Sequence, residues 1–143
     1  MSVMLIDALS AIVLILGWWI AFGVYPRLPE RVPVHFGVRG EADRWGKRWM
    51  IFTLPLIGTV VIALNYWLFE YLSPGAPKPI PLGMRTPLHL MLLVLSVIFT
   101  YITWRMSEVA FGRARGLGAW FLLVSLVAVF SVCGWIWMLG RGH

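Results

Sequence analysis

From Leu117 to Gly140 the chain carries no charged residue. A helix that crosses the hydrocarbon core of a bilayer needs about 20 consecutive, mostly apolar residues, so this one stretch already points to lipid. Three other runs meet the same test. Val3–Val24 is uncharged from Ala8 onward, Met50–Phe69 has Asn65 as its main polar intrusion, and Leu88–Trp104 can extend through Arg105 and Met106 if the arginine snorkels to the surface. Lipid offers backbone N–H and C=O groups no partner, so each run is predicted to be a helix. Composition agrees: of 143 residues 60% are hydrophobic and 13% charged, where soluble domains average about a quarter charged. A soluble fold of this length has too much surface for its volume to hide that much apolar area. The expected class is an all-α integral membrane fold with four transmembrane helices and a long proline-rich first loop.

The charge balance is +6, which in a soluble protein would raise the question of nucleic acid. A nucleic-acid binder gathers its cations on one folded face, whereas these lie between apolar runs, as cations that orient a chain in a membrane do. The bilayer is therefore the expected partner, and nucleic acid is not. The first loop holds Arg27, Arg31, Arg39, Arg44, Lys47 and Arg48, and the third holds Arg105, Arg113 and Arg115. Lys78, Arg85 and Arg141 are left for the other side. By the positive-inside rule this bias of nine to three puts the first and third loops in the cytoplasm and both termini outside, as in a multi-pass protein of the cell membrane. No Lys or Arg precedes the first apolar run, so it reads as a retained helix rather than a signal peptide. The nine tryptophans cluster mainly near the predicted span ends, where an indole's apolar body and polar N–H both find their medium. The single cysteine, Cys133, lies in an apolar run and suits a small structural residue better than a thiolate.

Helix contacts leave a fainter trace. Gly17 with Ala21 and Ser96 with Thr100 form small-xxx-small pairs, which let helices approach closely in lipid. Asn65 is deep enough to hydrogen-bond across helices, and Pro55 falls near the start of the second span, where a missing N–H costs least.

The informative stretch is the first loop, Tyr25–Trp49, with prolines at 26, 29 and 33. Prolines push their predecessors into extended geometry, so the loop is expected to begin as a rigid strap. Gly37 and Gly40 then allow turns, and Asp43 is placed to cap a turn leading to the second helix. The pattern LPERVPVHFGVRGEADRWGK resembles the signature of a domain of unknown function shared by SdpI-like membrane proteins, a helix–loop–helix whose loop follows LPxxVPxHFxxxGxxDxxxxK. The matching positions are Leu28, Pro29, Val32, Pro33, His35, Phe36, Gly40, Asp43 and Lys47. The resemblance covers approximately residues 5–70 as one module, with residues 88–140 as a second helix pair; Gly83, Arg85, Thr86 and Pro87 echo a G-x-R-T-P stretch of the same proteins. It implies a bacterial or archaeal membrane protein acting by contact with other proteins, in immunity against a secreted toxin or in signalling by holding a repressor at the membrane.

The residues themselves point to little chemistry. His35 stands among Glu30, Glu41 and Asp43, a combination that can ligate zinc or transfer protons, but no second histidine or metal-ligand spacing accompanies it. The plain expectation is a hydrogen bond between His35 and Asp43 that shapes the loop, with Arg39 or Arg44 as a candidate third member. Pro29, Pro33, His35, Phe36, Gly40, Asp43 and Lys47 are thus candidates for structuring the loop or meeting a partner; no catalytic, cofactor or metal residue is assigned, and no enzyme activity is expected. His89, after Pro87, reads as an interfacial histidine, with Glu70 and Glu108 flanking span ends. Residues 73–81 carry four prolines and suit a stiff connector, while GRARGLG at 112–118 reads as a short basic turn. The competing expectation is a structural accessory subunit of a larger respiratory or photosynthetic membrane complex.

Overall fold

The computed structural model describes residues 3–72 and 82–141, apart from the side chains of residues 69–72, 82 and 119. Four helices long and apolar enough to cross a membrane dominate it: α1 (Val3–Val24), α2 (Thr53–Leu72), α3 (Leu82–Ala110) and α4 (Ala119–Arg141). The proline-rich connector at 73–81 and the Glu70 side chain lie outside the described residues.

The stretch between α1 and α2 is more ordered than a strap. It holds a 3-10 turn (Tyr25–Arg27), an antiparallel hairpin of β1 (Arg31–Phe36) and β2 (Ala42–Lys47), and a second 3-10 turn (Arg48–Phe52). The residue before Pro33 is extended and paired within β1, and Leu28, before Pro29, is extended at ψ 142°, but Tyr25, before Pro26, lies in the 3-10 turn instead. Val32, Val34 and Phe36 alternate toward the helices, as a half-buried strand requires. Pro33 has no N–H to give a ladder, and a two-stranded hairpin tolerates that because both its strands are edges. The base is closed by the Arg48 amide donating to the Glu30 carbonyl at 2.9 Å. At the tip, the Gly37 amide donates to the Glu41 carbonyl and the Gly40 amide to the Gly37 carbonyl, each at 2.8 Å. Asp43 lies within β2 and does not cap a helix.

α3 is the centre of the bundle. Its main neighbour is α1; α2 and α4 pack on it less extensively, and α4 leaves most of its surface outside the bundle. The α1–α3 seam follows helical periodicity: Ile6, Ser10, Leu14, Gly17 and Ala21 from α1 face the stripe Leu92, Ser96, Thr100, Thr103 and Ser107 of α3. Small residues on both sides bring the backbones close. A Cβ placed on Gly17 would lie 2.8 Å from Thr100 Oγ1, and that hydroxyl donates to the Val13 carbonyl across the seam at 2.9 Å. Trp18 Nε1 donates to Thr59 Oγ1 at 3.0 Å and ties α1 to α2.

α3 begins at Leu82, six positions before the predicted start, with Pro87 inside it. Proline there removes a single intrahelical bond, to the Gly83 carbonyl, near an end where few such bonds exist. The helix also continues past Trp104, because its polar residues are provided for. Arg105 donates from Nε to the Gly116 carbonyl at 2.8 Å, with a second bond from its Nη2. Arg113 meets Glu108 through two bonds, at 2.5 and 2.9 Å, a pairing that pushes the Arg113 guanidinium further up from its already high range.

Candidate functional site

The hairpin rests on the end of the bundle, and its inward residues are core. Leu28, Val32 and Ile51 are buried with Ala21 of α1 and Met106 of α3, and Pro33 is fully buried. This divides the motif by role. Leu28, Val32 and Pro33 seat the hairpin; Pro29 and Lys47 face outward, Lys47 opposite Arg31. Gly40 turns the tip at φ +80°, a left-handed conformation natural only to glycine.

His35 and Asp43 meet on the outer face. His35 pairs with Arg44 in register, but irregularities on either side of it bring its ring to Asp43, with Nδ1 and Oδ1 2.7 Å apart. The side chains remain 60% and 46% exposed, so water weakens the pair and leaves it open to contact. Beneath it lies a cavity of about 280 Å3, walled by the hairpin, the start of α2 and α3. Its lining is largely apolar, from Val34, Phe36, Met50, Leu54, Ile102 and Met106, with His35 at the rim. A cleft of this type, apolar inside with a few polar groups at its mouth, is the usual form of a binding site. Among the described residues, no three His, Cys, Asp or Glu side chains gather as a metal-binding group.

The third loop is more than a basic turn, because it holds the hairpin tip. The Leu117 amide donates to the Gly40 carbonyl at 2.8 Å, and Glu41 forms an isolated antiparallel bridge with Gly116. A side chain at Gly116 would collide with the backbone of Gly40, so close approach requires glycine there. Tyr101 of α3 donates to the Leu117 carbonyl at 2.9 Å. Two loops separated by two helices thus form one structure at one end of the bundle.

The opposite end carries a pairing that sequence reasoning missed. Asp7 of α1 and His89 of α3 meet with Oδ1 and Nδ1 2.5 Å apart. His89 is buried rather than simply interfacial. With Ser10, Asn65 and Tyr66 they line a small cavity of about 50 Å3. Asn65, expected to bond across helices, has its Oδ1 buried there without a hydrogen-bond partner among the described residues. The clue available in the sequence was that Asp7 and His89 are ionisable residues at the ends of two apolar runs; groups of this kind usually seek each other in lipid.

These features define a multi-pass membrane protein with a structured interfacial hairpin between its first two helices. Residues 12–59, spanning most of α1, the hairpin and the start of α2, match the domain of unknown function DUF1648. The chain is also similar to an uncharacterized protein of Archaeoglobus fulgidus, 39% identical over 56 residues. That alignment covers 39% of this chain and 31% of the relative, so the chain spans less than a third of the relative's length. No solved structure matches the chain.

Proposed function

We propose that this protein acts by protein–protein contact at the membrane surface, in an immunity-like or signalling role of the kind the SdpI resemblance implies. The observation that carries the reading is the apolar cleft beneath the motif hairpin, with the exposed His35–Asp43 pair at its rim. An apolar side chain of a partner segment fills the cleft, and the histidine–carboxylate pair bonds the partner's backbone or a polar side chain beside it. Apolar burial supplies most of the affinity, at about 25 cal/mol per Å2, and the polar rim sets orientation. A photo-crosslinking residue at Val34, in cells exposed to the cognate toxin or carrying the membrane-held regulator, captures that partner. Leu54→Trp fills the cleft and removes both capture and resistance. If the folded Leu54→Trp and Asp43→Asn variants capture partner and protect cells as well as the parent, the reading is lost.

A second reading, an accessory subunit of a larger membrane complex, draws on α4. That helix packs chiefly on α3 and leaves Trp120, Phe130, Trp137 and Met138 outside the bundle. Purification from native membranes in mild detergent separates the two: a stable stoichiometric assembly supports the subunit role, and a monomer removes it.

A further inference from the structure

The docked loops build a groove of about 230 Å3 lined by Arg39, Gly40, Glu41, Arg105, Arg115, Gly116 and Gly118. Three arginines from three parts of the chain line it. Arg105 is held in place by its two bonds to the Gly116 carbonyl, which leaves other N–H groups of its five donors unused. The side chains of Arg39 and Arg115 have no hydrogen-bond or ion-pair partner among the described residues. Glu41 is the one acidic residue of the lining, and its carboxylate is folded over Gly37, where a Cβ would sit 2.8 Å from Oε1. The groove therefore carries a surplus of positive charge and free, planar donors, the arrangement that suits phosphate oxygens.

Position narrows the source of the phosphate. Arg105 lies at the end of a membrane-spanning helix beside Trp104, with its guanidinium 5.6 Å from the indole centroid, which is an interfacial setting. The groove also lies on the face that holds nine of the chain's twelve Lys and Arg residues. We infer that it is a binding site for a phosphate-bearing anion, filled in the membrane by the headgroup of an anionic phospholipid. The site is separate from the cleft under the hairpin and does not depend on the protein-contact reading. A bound headgroup bridges the hairpin tip to the third loop and so reinforces the docking of the two.

Native mass spectrometry of the full chain, with phosphatidylglycerol or phosphatidylcholine added, tests this. The parent protein retains phosphatidylglycerol at least tenfold better. Arg39→Ala and Arg115→Ala each weaken retention about fivefold, the worth of one basic residue near an anionic surface, and Glu41→Gln strengthens it. Arg27→Ala, which alters a cation outside the groove, leaves retention unchanged. Both groove arginines are exposed and without partners, so their variants keep the fold, as a thermal melt verifies. A second arm titrates inorganic phosphate into protein held in neutral detergent. Saturable binding weakened by the same two variants, without lipid preference, supports the groove as a site for a soluble phosphate. Equal retention of both lipids with no phosphate binding overturns the proposal, and so does an equal loss in Arg27→Ala.

Discussion

Asp7 and His89 stand 82 positions apart in the chain and meet at 2.5 Å where α1 and α3 run side by side. The histidine side chain is 9% exposed and the carboxylate 38%, so the two are sheltered unequally. Removing either one deprives the other of this contact in a partly apolar site, which costs about 1–3 kcal/mol. Asp7→Ala and His89→Leu are each expected to lower the unfolding midpoint in mild detergent by several degrees. The double variant is expected to lose less than the sum of the two single ones, because the contact between them can be lost only once. Additive losses would show that the contact contributes nothing of its own.

A second prediction concerns the seam between the same helices. Gly17→Leu drives a side chain into Thr100 and separates α1 from α3, at a cost of about 1–3 kcal/mol for an overpacked interface. Thr100→Val removes only the bond to the Val13 carbonyl and costs about 0.6 kcal/mol, the average for such bonds between membrane helices. Gly134→Ala, where a Cβ meets nothing within 4 Å, is expected to be neutral. Unfolding of the three variants in detergent should rank them in that order.

The hairpin tip gives a third test. Gly40→Ala places a Cβ on a left-handed backbone at φ +80°, a strain of about 1–2 kcal/mol. Gly116→Ala instead forces the two loops apart. Both variants are expected to speed hydrogen exchange at the Gly37, Gly40 and Leu117 amides, with the helices unaffected. Gly112→Ala provides the control: its φ is +73° but its Cβ would meet nothing, so any cost is local and the hairpin amides keep their protection.

The His35–Asp43 contact separates stability from recognition. Because both side chains are about half exposed, Asp43→Asn is expected to change folding stability by less than about 1 kcal/mol. Its effect on partner capture is expected to be much larger. A melt shifted as much as capture would mean that the pair serves the fold alone.

The spans were legible in the sequence because lipid makes a blunt demand, about 20 apolar residues and no unpaired backbone. The hairpin was harder to see. Val32, Val34 and Phe36 alternate, and Gly37 and Gly40 bound a turn, yet Pro33 in the middle argues against a strand by local rules. Packing against Ala21, Ile51 and Met106 outweighs that local preference. The start of α3 was obscured likewise, since Pro87 looks like a boundary until its position near the helix end is known. The Asp7–His89 contact and the meeting of Gly40 with Gly116 join distant segments, and no local period records them. Their residue types hinted at special positions, but only the fold says which one each residue meets.

The α1–α3 seam also sets an order of events during synthesis. α1 enters the bilayer with Ser10, Gly17 and Asp7 uncovered, and its main partner is not the next helix but the one after. At about 5–20 residues per second, the 82 positions between Asp7 and His89 correspond to a wait of roughly 4–16 s before the matching stripe leaves the ribosome. For that interval α2, tied to α1 through Trp18 and Thr59, is the neighbour at hand, and closing the α1–α3 seam is a late event in the assembly of the bundle.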